Sequence, residues 1–147
     1  MTEKTASVHW QGQGEKGQGL ISTETEALKA YSYGFGSRFE EGQRGTNPEE
    51  LLGAAHAACF TMAFSMACDK AGFATESVST QVKVRLTPVG DSFVIDRIAL
   101  TMQAVVPGID EARFQEIAKD AKRSCPLSKA LASVPEILLS ATLESKG

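Results

Sequence analysis

Asn47-Pro48-Glu49-Glu50-Leu51-Leu52-Gly53-Ala54-Ala55-His56-Ala57-Ala58-Cys59-Phe60-Thr61-Met62-Ala63-Phe64-Ser65-Met66-Ala67-Cys68-Asp69-Lys70 reads as one long helix, and its placement decides the fold. Asn47 offers a side-chain acceptor to the first unpaired amides, Pro48 suits a first helical position, and Glu50 stands at capping-box spacing. Gly72 supplies the stop. Apolar residues fall on nearly every face of the helix, so it is expected to be enclosed by protein and to form the centre of the fold. The uncharged window 51–68 has the length of a membrane span. Its chemistry argues otherwise: it is largely alanine, holds Gly53, His56, Thr61 and Ser65, and has few of the Leu, Ile and Val residues that favour insertion. A buried helix in a soluble core, with no membrane partner, is the expectation.

Downstream, Val78, Thr80, Val82, Val84 and Leu86 alternate with Ser79, Gln81, Lys83 and Arg85, the period-two signature of a half-buried strand. A turn follows at Pro88 to Asp91. In the next strand Phe93 and Ile95 lie on one parity and Ile98, Leu100, Met102, Ala104 and Val106 on the other, which predicts a bulge or kink near Asp96 and Arg97. Pro107 and Gly108 end that strand. Asp110 caps a helix whose apolar stripe is Phe114, Ile117, Ala118 and Ala121, with Lys119, Lys122 and Arg123 toward its C-terminal end. Ser124, Cys125 and Pro126 restart the chain as a short helix to about Ala132, and Ile137, Leu139, Ala141 and Leu143 alternate as a closing strand. Upstream, Val8 to Gln11, Leu20 to Thr23 and Tyr33 to Phe39 are short β-like stretches among many glycines, expected as a small meander. The class is α+β, with antiparallel strands packed around one central helix.

A chain of 147 residues, 42% hydrophobic, suits a single domain spanning 1–147. The net charge of −3 comes without a run of like charges, which argues against a nucleic-acid partner. The opening Met1-Thr2-Glu3-Lys4-Thr5-Ala6-Ser7 has neither the basic start nor the apolar run of a signal peptide, so a cytoplasmic location is expected.

Cys59, Cys68 and Cys125 form no CxxC pair and show no zinc-ligand spacing. Cys59 lies mid-helix, where a cysteine can serve as a small buried hydrophobe; reactivity there requires a cation, because burial raises a thiol pKa and only the thiolate is nucleophilic. Cys125, just before Pro126, is placed to cap a helix and face its unpaired amides, although a serine or aspartate would cap as well. Cys68 falls on the opposite face of the helix from Cys59, which makes an intrahelical disulfide impossible and a packing role the expectation. His56 shares the Cys59 side and raises the possibility of a Cys/His hydrolase, but no further groups of such a site are evident, and a structural role is expected. Glu49 and Glu50 both suit the first helical turn, and Arg38, beside Glu40 in an alternating stretch, has the look of a solvated charge.

The run from Asn47 to Phe60, with Val106-Pro107-Gly108-Ile109-Asp110, Ser124-Cys125-Pro126 and the segment from Tyr33-Gly34-Phe35 to Arg38-Phe39, closely resembles the OsmC branch of the OsmC/Ohr family, over nearly the whole chain. The resemblance implies a thiol peroxidase that reduces organic hydroperoxides. In it Cys59 is the peroxidatic thiol, Cys125 the resolving thiol that forms an intramolecular disulfide with it, and Arg38 and Glu49 are the site's arginine and glutamate. It further implies an intertwined homodimer, no metal, haem or flavin cofactor, and a lipoylated protein or another dithiol as external reductant. Glu49 and Cys59 stand about 15 Å apart along a regular helix, too far to share one small site unless a partner copy brings the helix start close. Phe60, Met62 and Phe64 are expected to wall the site and favour alkyl hydroperoxides. A competing reading is a non-catalytic stress-response module that binds an apolar ligand between its helices.

Overall fold

Residues 1–145 are described by a computed structural model, which divides into two compact units, Met1–Leu51 and the residues from Leu52 onward. In the first unit β1 (Ala6–Gln11), β2 (Gln18–Thr23) and β3 (Tyr31–Tyr33) form the expected antiparallel meander. Gly17, just before β2, and Gly19, on it, are required: a Cβ at either would clash with the ring of Trp10 or Tyr33, which contact each other with centroids 5.7 Å apart. The third β-like stretch departs from expectation. The strand ends at Tyr33, and Phe35–Phe39 winds into a short helix, α1. Local hydrogen bonds take the place of a strand ladder there: the Gly34 N–H donates to Ser37 Oγ at 3.0 Å, and the Arg38 N–H to the Gly34 carbonyl at 3.2 Å. Arg38 therefore sits in the last turn of a helix and does not share a strand face with Glu40.

The long helix α2 spans Pro48–Lys70, 23 residues, with the termini read from the sequence. Glu50 N–H donates to Asn47 Oδ1 at 2.7 Å, while the Glu50 carboxylate accepts from Thr46 Oγ1 at 2.8 Å instead of closing a capping box. At the other end Phe73 N–H reaches the Cys68 carbonyl and Gly72 N–H that of Asp69, a Schellman termination that needs the φ of +92° at Gly72.

In the second unit β4 (Ser77–Val89) and β5 (Ser92–Val105) make a long antiparallel hairpin through Gly90–Asp91. Its register runs Arg85 to Arg97 and then Leu86 to Ile95, so Asp96 is the extra residue of the predicted bulge, and its carboxylate holds Arg85 Nε at 2.7 Å. Asp110 caps α3 (Glu111–Ser124) by accepting from the Arg113 N–H at 2.8 Å. A five-residue α4 (Pro126–Ala130) follows, then β6 (Glu136–Leu143). β6 pairs with β5 in parallel, a difference from the all-antiparallel expectation. The cause is the connection: α3 and α4 carry the chain back along the sheet as a helical crossover, the link that parallel neighbours require.

The core of this unit joins Phe60, Phe64 and Cys68 of α2 to Leu100, Met102 and Ala104 of β5 and to Phe114, Ile117, Ala118 and Ala121 of α3. Phe64 lies edge-on to Phe114, centroids 5.6 Å apart, and 6.5 Å from Phe60. Phe64→Ala should therefore cost about 3–5 kcal/mol of stability, measured by denaturant unfolding. The prediction of a helix enclosed on all sides is corrected here. Only Gly53, His56, Phe60, Phe64 and Cys68 of α2 are buried, and Met62 and Met66 are each 66% exposed. An apolar stripe on the far side of α2, with Ala55 and Ala58, remains uncovered within the second unit.

Candidate active site

Pro126 creates the thiol pair. A residue before proline is disfavoured in helical conformation, and Cys125 adopts ψ 125°, which ends α3 and starts α4 at the same residue. Cys125 thus belongs to both helices: its N–H donates to the Ala121 carbonyl at 3.0 Å, and its carbonyl accepts from Lys129 N–H at 3.1 Å. Its thiol is fully buried, makes no capping hydrogen bond, and lies against the thiol of Cys59 on α2. Two sulfurs far apart in sequence are neighbours in space, with no disulfide joining them. Cys68 is buried in the core, where desolvation pushes its thiol up, in keeping with a packing role.

The Cys59 thiol is also pushed up from its ordinary value. Burial is the largest cause; the nearby backbone N–H of Leu127 pulls the other way, and the Cys125 thiol adds to the upward shift. A cysteine in this state is predominantly protonated at neutral pH. Phe60 and Phe64 point into the core while Met62 is exposed, so these three side chains do not form one wall beside Cys59, as the sequence had suggested. Among the described residues no three His, Cys, Asp or Glu side chains converge as metal ligands would.

In the first unit Arg38 and Glu49 are brought together. Arg38 Nη2 donates to Glu49 Oε1 at 2.7 Å and Nε to the same oxygen at 3.0 Å and to Oε2 at 3.2 Å. The Arg38 guanidinium carbon also lies 5.2 Å from the centre of the Phe39 ring. Glu49 can do this because Glu50 is occupied by Thr46 and Asn47, and because the Asn47 side chain ties α1 to the start of α2 through the Ser37 carbonyl at 3.2 Å. A forked arginine–carboxylate pair fixes the plane of the guanidinium.

His56, expected to be structural, is fully buried, and its Nε2 lies 2.8 Å from Ser128 Oγ on α4. Ser128 engages one ring nitrogen, and Nδ1 is buried without a hydrogen-bond partner. Burial lowers its pKa below the ordinary 6.5. The unfolded chain then binds a proton that the folded chain refuses, so the stabilisation present above about pH 6.5 is lost as pH falls toward the folded pKa. The Tm should drop across that window, and His56→Phe should flatten the drop in a thermal melt series. Ser128 and the Leu127 amide were missed in the sequence. Their signal was position alone, in the first turn of the helix whose N-cap residue is Cys125.

The sequence model of the OsmC-like protein family matches residues 40–140. The chain is 46% identical to peroxiredoxin OsmC of Escherichia coli (strain K12) over 142 residues, 97% of each protein. It is 36% identical to an organic hydroperoxide resistance protein of Xanthomonas axonopodis pv. citri over 92 residues, 60% of this chain and 61% of that one. Its fold matches the crystal structure of an organic hydroperoxide resistance protein OsmC from Legionella pneumophila with a TM-score of 0.72, at 23% identity and over 97% and 98% of the two chains. With the family model covering more than half of the sequence and a relative this similar along its full length, the chain belongs to the OsmC family.

Proposed function

We propose that this protein is a cytoplasmic, single-domain thiol peroxidase that reduces organic hydroperoxides to alcohols through Cys59 and Cys125. The observation that carries the reading is the contact between those two thiols. The name and near-complete coverage of the E. coli relative support it. In the first step the Cys59 thiolate attacks one peroxide oxygen, the O–O bond breaks, the alcohol leaves, and Cys59 becomes a sulfenic acid. Cys125 then displaces hydroxide from that sulfur, which departs as water, and a disulfide results. An external dithiol, free or on a lipoylated protein, reduces the disulfide and is itself oxidised to a disulfide. No resident metal or organic cofactor takes part.

A cation must offset the burial of Cys59, and Arg38 is assigned that role. The guanidinium favours the thiolate and then the charge developing on the leaving oxygen, while Glu49 keeps it oriented. In this reading the protein is a homodimer, and the Arg38–Glu49 pair of one subunit serves Cys59 of the other. The uncovered stripe of Ala55, Ala58, Met62 and Met66 on α2 supports a protein interface there.

Titration of the reduced protein with cumene hydroperoxide tests the chemistry. Of the three thiols in each chain, two should disappear within one equivalent of peroxide and Cys68 should remain. A module that merely binds apolar ligands would lose none quickly, and that result would remove the proposal.

A further inference from the structure

α4 is a helix of five residues, too short to hold its shape through its own backbone hydrogen bonds. Yet it is preceded by Cys125 as its N-cap residue and carries the Leu127 amide, which lies near the Cys59 sulfur. Its position must therefore be fixed from outside. A polar tie from α2 is available: His56 Nε2 lies 2.8 Å from Ser128 Oγ, with His56 fully buried and Ser128 8% exposed. His56 precedes Cys59 by three positions and Ser128 follows Cys125 by three, so the thiol pair and the His–Ser bond are successive rungs between the same two helices.

Stability alone is a poor reason for that rung. Replacing a buried hydrogen-bonded pair by apolar groups of matching shape is close to neutral, and this pair leaves His56 Nδ1 without a partner. What a hydrogen bond adds is a demand on distance and direction that apolar contact does not make. We propose that His56 and Ser128 are positioning residues that hold α4 against α2 while Cys59 is a sulfenic acid, so that Cys125 stays within bonding reach and resolves it before a second peroxide arrives. The inference rests on the two-cysteine chemistry above. In the productive step Cys59–SOH and Cys125–SH give the disulfide and water. In the competing step a second hydroperoxide transfers an oxygen to Cys59–SOH, leaving a sulfinic acid and an alcohol.

The test is a single-turnover reaction of reduced protein with cumene hydroperoxide, followed by stopped-flow fluorescence, with disulfide, dimedone-trapped sulfenic acid and sulfinic acid quantified by mass spectrometry. In Ser128→Ala the resolution step should slow about tenfold, the loss of one hydrogen bond, while Cys59 oxidation changes less than about threefold. Sulfinic acid should accumulate at peroxide doses that the parent protein survives. Ser128→Thr, which keeps the hydroxyl, should restore resolution, and adding His56→Phe to Ser128→Ala should slow it no further. Where His56→Phe does not fold, Ser128→Ala carries the test, since it removes a single oxygen. Resolution at the parental rate in folded Ser128→Ala, or an equal loss in both steps, overturns the positioning role. If the parent protein itself forms no Cys59–Cys125 disulfide, the underlying peroxidase reading has failed instead.

Discussion

On the proposed chemistry, Cys59→Ser should lower kcat/KM for an organic hydroperoxide by at least about a thousandfold, because a serine hydroxyl is scarcely ionised at neutral pH and is a far poorer nucleophile toward an O–O bond. Cys125→Ser behaves differently. Its Cys59 is still oxidised once, but with no neighbouring thiol the product stays a sulfenic acid that dimedone captures, and steady turnover stops. The contact between the two thiols makes the pair of outcomes specific, since only a neighbour can intercept the intermediate. Cys68→Ser should be nearly silent in the same assay, as its sulfur is packed in the core with Phe64 and Phe114. The readout is peroxide consumption together with the mass of the trapped adduct. Activity lost in folded Cys68→Ser and retained in Cys59→Ser would reverse the roles.

The second large effect concerns Arg38. Burial raises the Cys59 thiol, so the proposed reaction would need a positive charge to bring the thiolate within reach of neutral pH. Arg38→Ala should lower kcat/KM by about a hundredfold to a thousandfold, as expected for loss of a principal electrostatic stabiliser. It should also move the midpoint of Cys59 alkylation to higher pH, because the thiolate form loses its counter-charge. Arg38→Lys keeps the charge but not the fork that grips Glu49, and should recover only part of the rate. Glu49→Gln should fall between. Kinetics and an iodoacetamide pH profile measure these effects; an unchanged rate and midpoint in Arg38→Ala would separate the arginine from the site.

The readings that came from the sequence succeeded where one local rule sufficed. The caps of α2 and α3, the termination at Gly72, the bulge at Asp96 and the inward parity of β6 each follow from a few adjacent residues. Failures arose where a distant partner decides the outcome. Arg38 sits on a helical turn because the Ser37 hydroxyl engages the Gly34 backbone, a competition that alternation does not reveal. The parallel pairing of β6 depends on where the crossover delivers the chain, which periodicity cannot express. Apolar residues all round α2 predict an enclosed helix, yet one strip of it is left open within the second unit. At the site, Cys125 before Pro126 was visible as a helix cap, but its meeting with Cys59 was not, since 3.6-residue spacing places neighbours only within one helix. The family resemblance supplied that pairing, and His56–Ser128 had no sequence signal beyond its matching offsets.

The crossover that carries Cys125 back beside α2 has a thermodynamic corollary. A bond from Cys59 to Cys125 closes a covalent ring of about 67 residues, which in a chain-entropy account would restrict the denatured ensemble by about 4 kcal/mol. Because the hairpin of β4 and β5 and the whole of α3 lie inside that ring, oxidation tethers most of the second unit's framework. The oxidised form would then resist heat better than the reduced form, and each reductive cycle would return the protein to its more fragile state.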